Sequence, residues 1–110
     1  MKKYEFTSET KVINGVELHR IKALKSFGNI KKGEKGGWIE SEKNLSQRGN
    51  AWVYDNATVY GNARVSGYAW VGEDAMVGED ATVYDNTTVN GNATVYGNAK
   101  VCGYATVCED

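Results

Sequence analysis

Valine recurs every sixth residue from Val53 to Val107 without a break. Two positions before each valine sits a small residue: Ala51, Ala57, Ala63, Ala69, Ala75, Ala81, Thr87, Ala93, Ala99 and Ala105. A fixed short period of this kind marks a solenoid. Alternation along a short strand points the small residue and the valine inward and the residue between them outward. The pairs that follow are Gly-Asn, Asp-Asn, Glu-Asp or Gly-Tyr. Gly, Asn and Asp tolerate the left-handed backbone region, so these pairs read as corners. Six residues then make one side of a polygon, and three sides make an 18-residue triangular coil.

The pattern extends upstream. Gly37-Trp38-Ile39 matches Ala51-Trp52-Val53 and Ala69-Trp70-Val71, and Leu45 lies six residues after Ile39. Eight residues separate Leu45 from Val53, which predicts a two-residue insertion at one corner. Twelve rungs give four coils. Their inward columns are Val53/Val71/Val89/Val107, Ile39/Val59/Val77/Val95 and Leu45/Val65/Val83/Val101. Each buried valine contributes about 1.5–3 kcal/mol before the entropy of ordering is subtracted.

Ahead of the repeat, Lys11 to Leu18 places apolar stretches on both sides of Asn14-Gly15, a strong hairpin signal. Residues 4–24 therefore predict a small antiparallel sheet. Residues 25–37 read as a basic, glycine-rich loop. The expected division is a hairpin and loop cap over 1–37 and a β-helix over 38–110. A solenoid end exposes apolar side chains and unpaired backbone, so it needs covering. The hairpin suits the first coil. No cap is evident beyond Val107, which predicts self-association or partner contact through that open coil.

These features resemble the hexapeptide-repeat family, whose fold is the all-β, left-handed parallel β-helix. The segment Gly36-Gly37-Trp38-Ile39-Glu40-Ser41-Glu42-Lys43-Asn44-Leu45-Ser46, followed by Asn-Ala-x-Val-Tyr-Gly units, narrows the resemblance. So do Tyr4-Glu5-Phe6-Thr7 and Leu18-His19-Arg20-Ile21. They are similar to the bacterial and prophage YdcK-like β-helix proteins, some of which carry a transferase label drawn from fold. Fold alone does not give function. Among hexapeptide-repeat proteins, the acyltransferases use a catalytic histidine and the carbonic anhydrases hold zinc with three. This chain has one histidine, His19, in the expected hairpin rather than the helix. The expectation is a protein that is not an enzyme and holds no metal or cofactor.

Net charge is −1, but it is unevenly spread. Residues 1–50 carry 11 Lys/Arg and 6 Asp/Glu, whereas residues 51–110 carry 2 and 8. A basic cap on an acidic helix argues against direct nucleic-acid binding. The acidic corners Asp55, Glu73, Glu79 and Asp85 distribute over different edges, so they form no phosphate-like ladder. Threonines scatter over three faces, unlike a flat ice-binding array. Cys102 and Cys108 fall on consecutive rungs, hence on different faces, and predict no disulfide. No apolar run reaches the length of a membrane span and MKKYEFTSET has no apolar signal core, so a cytoplasmic location is expected.

Two sets of candidate site residues emerge. Trp52 and Trp70 lie 18 apart and stack on one face, with Tyr54 beside Trp52 and Tyr60 and Tyr96 on the next face. This aromatic stripe is a candidate protein-binding surface, together with Val107 at the open coil; alternatively the cap covers it. Lys31, Lys32 and Lys35 in the glycine-rich loop are a weaker candidate for anion binding, since the loop lacks the Gly-Lys-Ser/Thr ending of a P-loop. The leading expectation is a non-enzymatic interaction protein of phage or mobile-element type, acting on a host protein as an inhibitor. The alternatives are a nucleotide or small-molecule sequestering protein and a degenerate acyltransferase.

Overall fold

The computed structural model describes the backbone of residues 2–103 and 106–109 and the side chains of residues 2–103. It is a parallel β-helix of about four coils, closed at its beginning by a hairpin. Strands β1 (Tyr4–Ile13) and β2 (Val16–Ala23) form that hairpin. Its turn is Asn14-Gly15, with φ of 51° and 82°, the positive values that a two-residue hairpin turn demands. Strand β3 (Lys35–Ile39) follows. The rungs are β4 (Trp52–Val53), β5 (Thr58–Val59), β6 (Arg64–Val65), β7 (Trp70–Val71), β8 (Met76–Val77), β9 (Thr82–Val83), β10 (Thr88–Gly91), β11 (Thr94–Val95), β12 (Lys100–Val101) and β13 (Thr106–Glu109).

The three faces have the register that the six-residue period requires. The first face pairs Val53 with Val71, Val71 with Val89, and Val89 with Val107. The second pairs Ile39 with Val59, Val77 and Val95 in turn. The third pairs Leu45 with Val65, then Val83 and Val101. All are parallel. From Val53 to Val89 each inward valine and its alanine is essentially inaccessible, and Thr87, in an alanine slot, donates its hydroxyl to Tyr84 O at 3.0 Å. The expected insertion is Gln47-Arg48: Ser46 N bonds Val65 O, while Asn50 N bonds Gly67 O, two residues out of step.

At every corner the residue two positions after the valine adopts positive φ. Glycine fills this position at Gly61, Gly67, Gly91, Gly97 and Gly103, and an acid fills it at Asp55, Glu73, Glu79 and Asp85. Glutamate is a poor choice for that backbone region. It has a compensating contact here. Glu73, Glu79 and Asp85 accept hydrogen bonds from the amides of Gly91, Gly97 and Gly103 in the next coil, at 2.9–3.1 Å. The acidic corners are thus parts of the stack, which accounts for them without phosphate mimicry.

The hairpin does not sit apart from the helix. Strand β2 pairs antiparallel with β3, and β3 pairs parallel with β5, so the second face continues into the hairpin as one six-stranded sheet. Residues 35–37 belong to this sheet rather than to the loop expected there. A Cβ at Gly36 would lie 2.6 Å from Val53 O and 2.7 Å from Trp52 Cζ2; one at Gly37 would lie 2.7 Å from Ala57 O. Two adjacent glycines let β3 press directly against the first coil, a reason for glycine that has nothing to do with turns.

Three residues close the first coil by chemistry the sequence did not advertise. Lys3 Nζ is buried and donates to Ala51 O at 2.6 Å. Tyr4 donates its hydroxyl to Leu45 O at 2.6 Å. The inserted Gln47 accepts from the amides of Lys3 and Tyr4 at 2.7 and 3.2 Å. Carbonyls on the first coil have no preceding coil to pair with, and buried carbonyls without donors are costly. Burial, then repulsion from Lys25, lowers the Lys3 ammonium to a pKa of about 8. Burial and the neighbouring Glu42 push the Tyr4 phenol up.

Candidate functional site

With the inward columns committed to the core, any interaction chemistry must come from the outward slots. On each rung these are the residue before the valine and the one after it. The first face presents Trp52, Trp70 and Thr88, then Tyr54, Gly72 and Asn90. The second presents Thr58, Met76 and Thr94, then Tyr60, Gly78 and Tyr96. The third presents Arg64, Thr82 and Lys100, then Ser66, Tyr84 and Cys102.

The expected aromatic stripe divides. Trp52 is fully buried, edge-on to Tyr4 at 6.3 Å and Phe27 at 5.3 Å, and is removed from the interaction surface. The physical reason is the cap: residues 3–4 and the loop at Phe27 fold over the first coil and need a large apolar partner there. One coil on, Trp70 is half-buried and lies edge-on to Tyr54 at 5.6 Å. A Cβ at Gly72 would run into the Tyr54 ring, so that ring covers the glycine of the next coil. Tyr60 covers Gly78 in the same manner on the second face. Burial, helped by Asp55 and Glu73, raises the Tyr54 phenol. The Val107 side chain, and with it the expected contact at the open coil, lies outside the described residues.

A small groove of about 70 Å³ forms where the hairpin tip meets the second face. Its walls are Ile13, Asn14, Val16 and Leu18 from the hairpin and Thr58, Tyr60 and Met76 from the helix. Beyond it on the same face Tyr96 is 60% exposed, whereas Val12 pairs with Glu17 and projects to the other side of the hairpin from Ile13 and Val16. No charged side chain occupies an outward slot of this face from Thr58 to Tyr96. The first face is likewise uncharged in its outward slots, but its Trp52 is taken up by the cap, whereas Tyr96 on the second face is exposed. The sequence located Tyr60 and Tyr96 but not Met76, Ile13 or Val16, whose contribution depends on where the hairpin docks.

The loop lysines do not form an anion cradle. The amides of Lys31 and Lys32 donate to Glu34 Oε1 and Ser26 Oγ. Those of Gly33 and Glu34 donate to Ala23 O and Lys31 O. Lys35 pairs with Glu9 at 2.7 Å. A phosphate held by backbone amides needs those donors free, and here the loop uses them to fold on itself. His19 lies on β2 with its ring stacked on Phe6 at 4.4 Å, and its Nε2 is 3.9 Å from Glu17. Among the described residues no three His, Cys, Asp or Glu side chains gather in a metal-ligating group. Cys102 is a free, exposed thiol. Among the described residues no helix is long and apolar enough to cross a membrane.

Comparison with known proteins agrees with the solenoid geometry. The YdcK β-solenoid repeat matches residues 59–73, which run from the second face across the third to a first-face corner. A protein of Escherichia coli K12 named "Uncharacterized acetyltransferase YdcK" is 35% identical over 63 residues, covering 50% of this chain. The match covers 19% of that relative, so the chain corresponds to about a fifth of its length. The expected resemblance to YdcK-like β-helix proteins is supported by these partial matches.

Proposed function

We propose that this YdcK-like β-solenoid is a non-enzymatic protein-binding module whose contact surface is the second face with the adjoining hairpin tip. The observation that carries the reading is the uncharged strip from the hairpin groove to Tyr96. Its aromatic, methionine and aliphatic side chains are what protein contacts use as anchors. The partner is a protein that presents an apolar segment. A surface this continuous suits occlusion of that segment, as a stoichiometric inhibitor from a phage or mobile element would achieve. The rigid inward stack supports the reading as well, because a preformed face loses little entropy on binding.

The test is a pull-down by tagged protein against Tyr96→Asp and Thr94→Asp variants, both at exposed outward slots of this face. The expected result is a stoichiometric partner held by the native chain and lost by both variants, with unfolding midpoints unchanged. A partner held equally by all three, or none held by the native chain, rejects this surface. Acyl transfer is a second reading, favoured only by the name of the relative. Its single histidine candidate here is His19, whose ring is packed on Phe6. Turnover of an acyl-CoA with any of a panel of acceptors would favour that reading over binding.

A further inference from the structure

We infer that the third face carries a binding site for a small phosphorylated ligand, held by Arg64, Thr82 and Lys100. This site is independent of the protein-binding surface on the second face.

Arg64 and Lys100 are the two basic residues among positions 51–110, where eight acids lie. They occupy the same outward slot two coils apart, with Thr82 directly between them in the β6–β9–β12 register. At the usual strand spacing this puts their backbones about 10 Å apart, well within convergence of two long side chains. Both are exposed, and neither has an ion-pair partner among the described residues. A solvated charge on a random face would account for either residue alone. Both fall on one column of one face in an otherwise acidic helix, where their charges add.

Against Arg64 and Thr82, toward the first coil, is a groove of about 420 Å³, six times the volume of the one on the second face; Lys100, one coil beyond Thr82, stands outside its lining and adds charge at its edge. Arg64, Ser66 and Thr82 line it, and Glu42, Lys43, Leu45, Ser46 and Gln47 form its wall from the first coil. Lys43 is positioned by a 2.8 Å bond to Asn62, which leaves its remaining ammonium protons available. The carboxylate on the rim, Glu42, is paired with Lys2 at 3.2 Å, so its repulsion toward an anion is partly cancelled.

The donor set selects the ligand class. A guanidinium presents a planar fork that grips two phosphate oxygens at once. The hydroxyls of Ser66 and Thr82 supply further donors for the remaining oxygens, and the ammoniums add charge. A phosphate monoester brings three terminal oxygens and nearly two charges, more than a carboxylate offers to this many donors and cations. The site has no nucleophile paired with a base, so its chemistry is recognition. The loop at 31–35, whose amides are already engaged, plays no part.

The experiment is an amide chemical-shift titration of the full chain with inorganic phosphate, glucose 1-phosphate and uridine monophosphate at constant ionic strength. Saturable shifts are expected around residues 64–66 and 82–84, reaching 100–102. Arg64→Gln with Lys100→Gln should weaken binding at least about tenfold, the scale of one lost charge-assisted hydrogen bond. Lys31→Gln with Lys32→Gln should leave it unchanged. Both substituted positions on the third face are exposed, and matching spectra elsewhere verify the fold. Tighter binding of either organic phosphate supports the site and tells whether a sugar or a nucleoside fills the groove. No saturable shift with any of the three, or shifts that persist in the Arg64→Gln/Lys100→Gln protein, overturns the inference.

Discussion

The second and third faces share the same inward plan and differ outward in charge. Inside, each is a ladder of alanine and an aliphatic residue, near-inaccessible through Val95 on the second face and through Val83 on the third, where in the last coil Ala99 is exposed and Val101 half-buried. Outside, the second shows Thr58, Met76, Tyr60 and Tyr96, whereas the third shows Arg64, Thr82, Lys100 and Ser66. The inward positions therefore explain the fold and say nothing about what is bound. The outward positions explain little of the fold and distinguish the faces. In a solenoid, nearest-neighbour stacking supplies stability, so one outward slot can change chemistry from face to face without disturbing the stack. The first face marks where that freedom ends. Its Trp52 slot has been taken into the core by the cap, while Trp70 one coil on remains half open.

That contrast yields graded expectations. Trp52→Ala removes a buried aromatic and should cost about 3–5 kcal/mol. Trp70→Ala, in the equivalent slot one coil on, should cost less than half as much. Urea unfolding of both variants measures the difference, and equal losses would mean that the cap does not use Trp52 as its anchor.

A pH effect should come next, again confined to the capped end. The folded Lys3 ammonium has a pKa of about 8 against an ordinary 10.5, so between these values the unfolded chain holds a proton that the folded chain has shed. Stability should rise through that window and be lost as pH falls through about 8, by up to about 3 kcal/mol. Tyr4 acts oppositely: its raised phenol stays protonated after the unfolded chain ionises, so stability falls again above about pH 10. Unfolding midpoints from pH 7 to 11 should show the rise in the native protein and its loss in Lys3→Met. A flat native profile would contradict the burial of Lys3.

Gly78→Ala should expel the Tyr60 ring from its seat on the second face, since a Cβ there meets the ring. The expected loss is about 1–3 kcal/mol, and unfolding should show it together with a changed tyrosine fluorescence. Smallest of all, Tyr96→Asp and Arg64→Gln should each alter stability by no more than about 0.5 kcal/mol, because both side chains are exposed.

Period and turn chemistry made much of this architecture legible in the sequence. The six-residue valine spacing fixed all three columns, the Asn14-Gly15 pair fixed the hairpin, and the eight-residue gap after Leu45 located the insertion. The closure of the first coil was hidden, because it depends on which surface the hairpin reaches. Gly36-Gly37 looks like a loop in one dimension, and only the proximity of Val53, Trp52 and Ala57 gives it its purpose. For the same reason Trp52 and Trp70 look equivalent in sequence and differ in space. The third face did leave a signal. Arg64 and Lys100 are two coil lengths apart, so the period alone assigns them to one column, and the groove between Arg64 and the first coil is what the sequence could not show.

The separation of outward chemistry from inward stacking is tested most directly by a crossed binding measurement. Native, Tyr96→Asp and Arg64→Gln/Lys100→Gln proteins would each be assayed for retention of the protein partner and for phosphate titration. Tyr96→Asp should lose the partner and keep phosphate, and the third-face variant should keep the partner and lose phosphate, with all three unfolding at similar denaturant concentrations. If either variant loses both activities, or keeps both, the two faces are not independent binding surfaces.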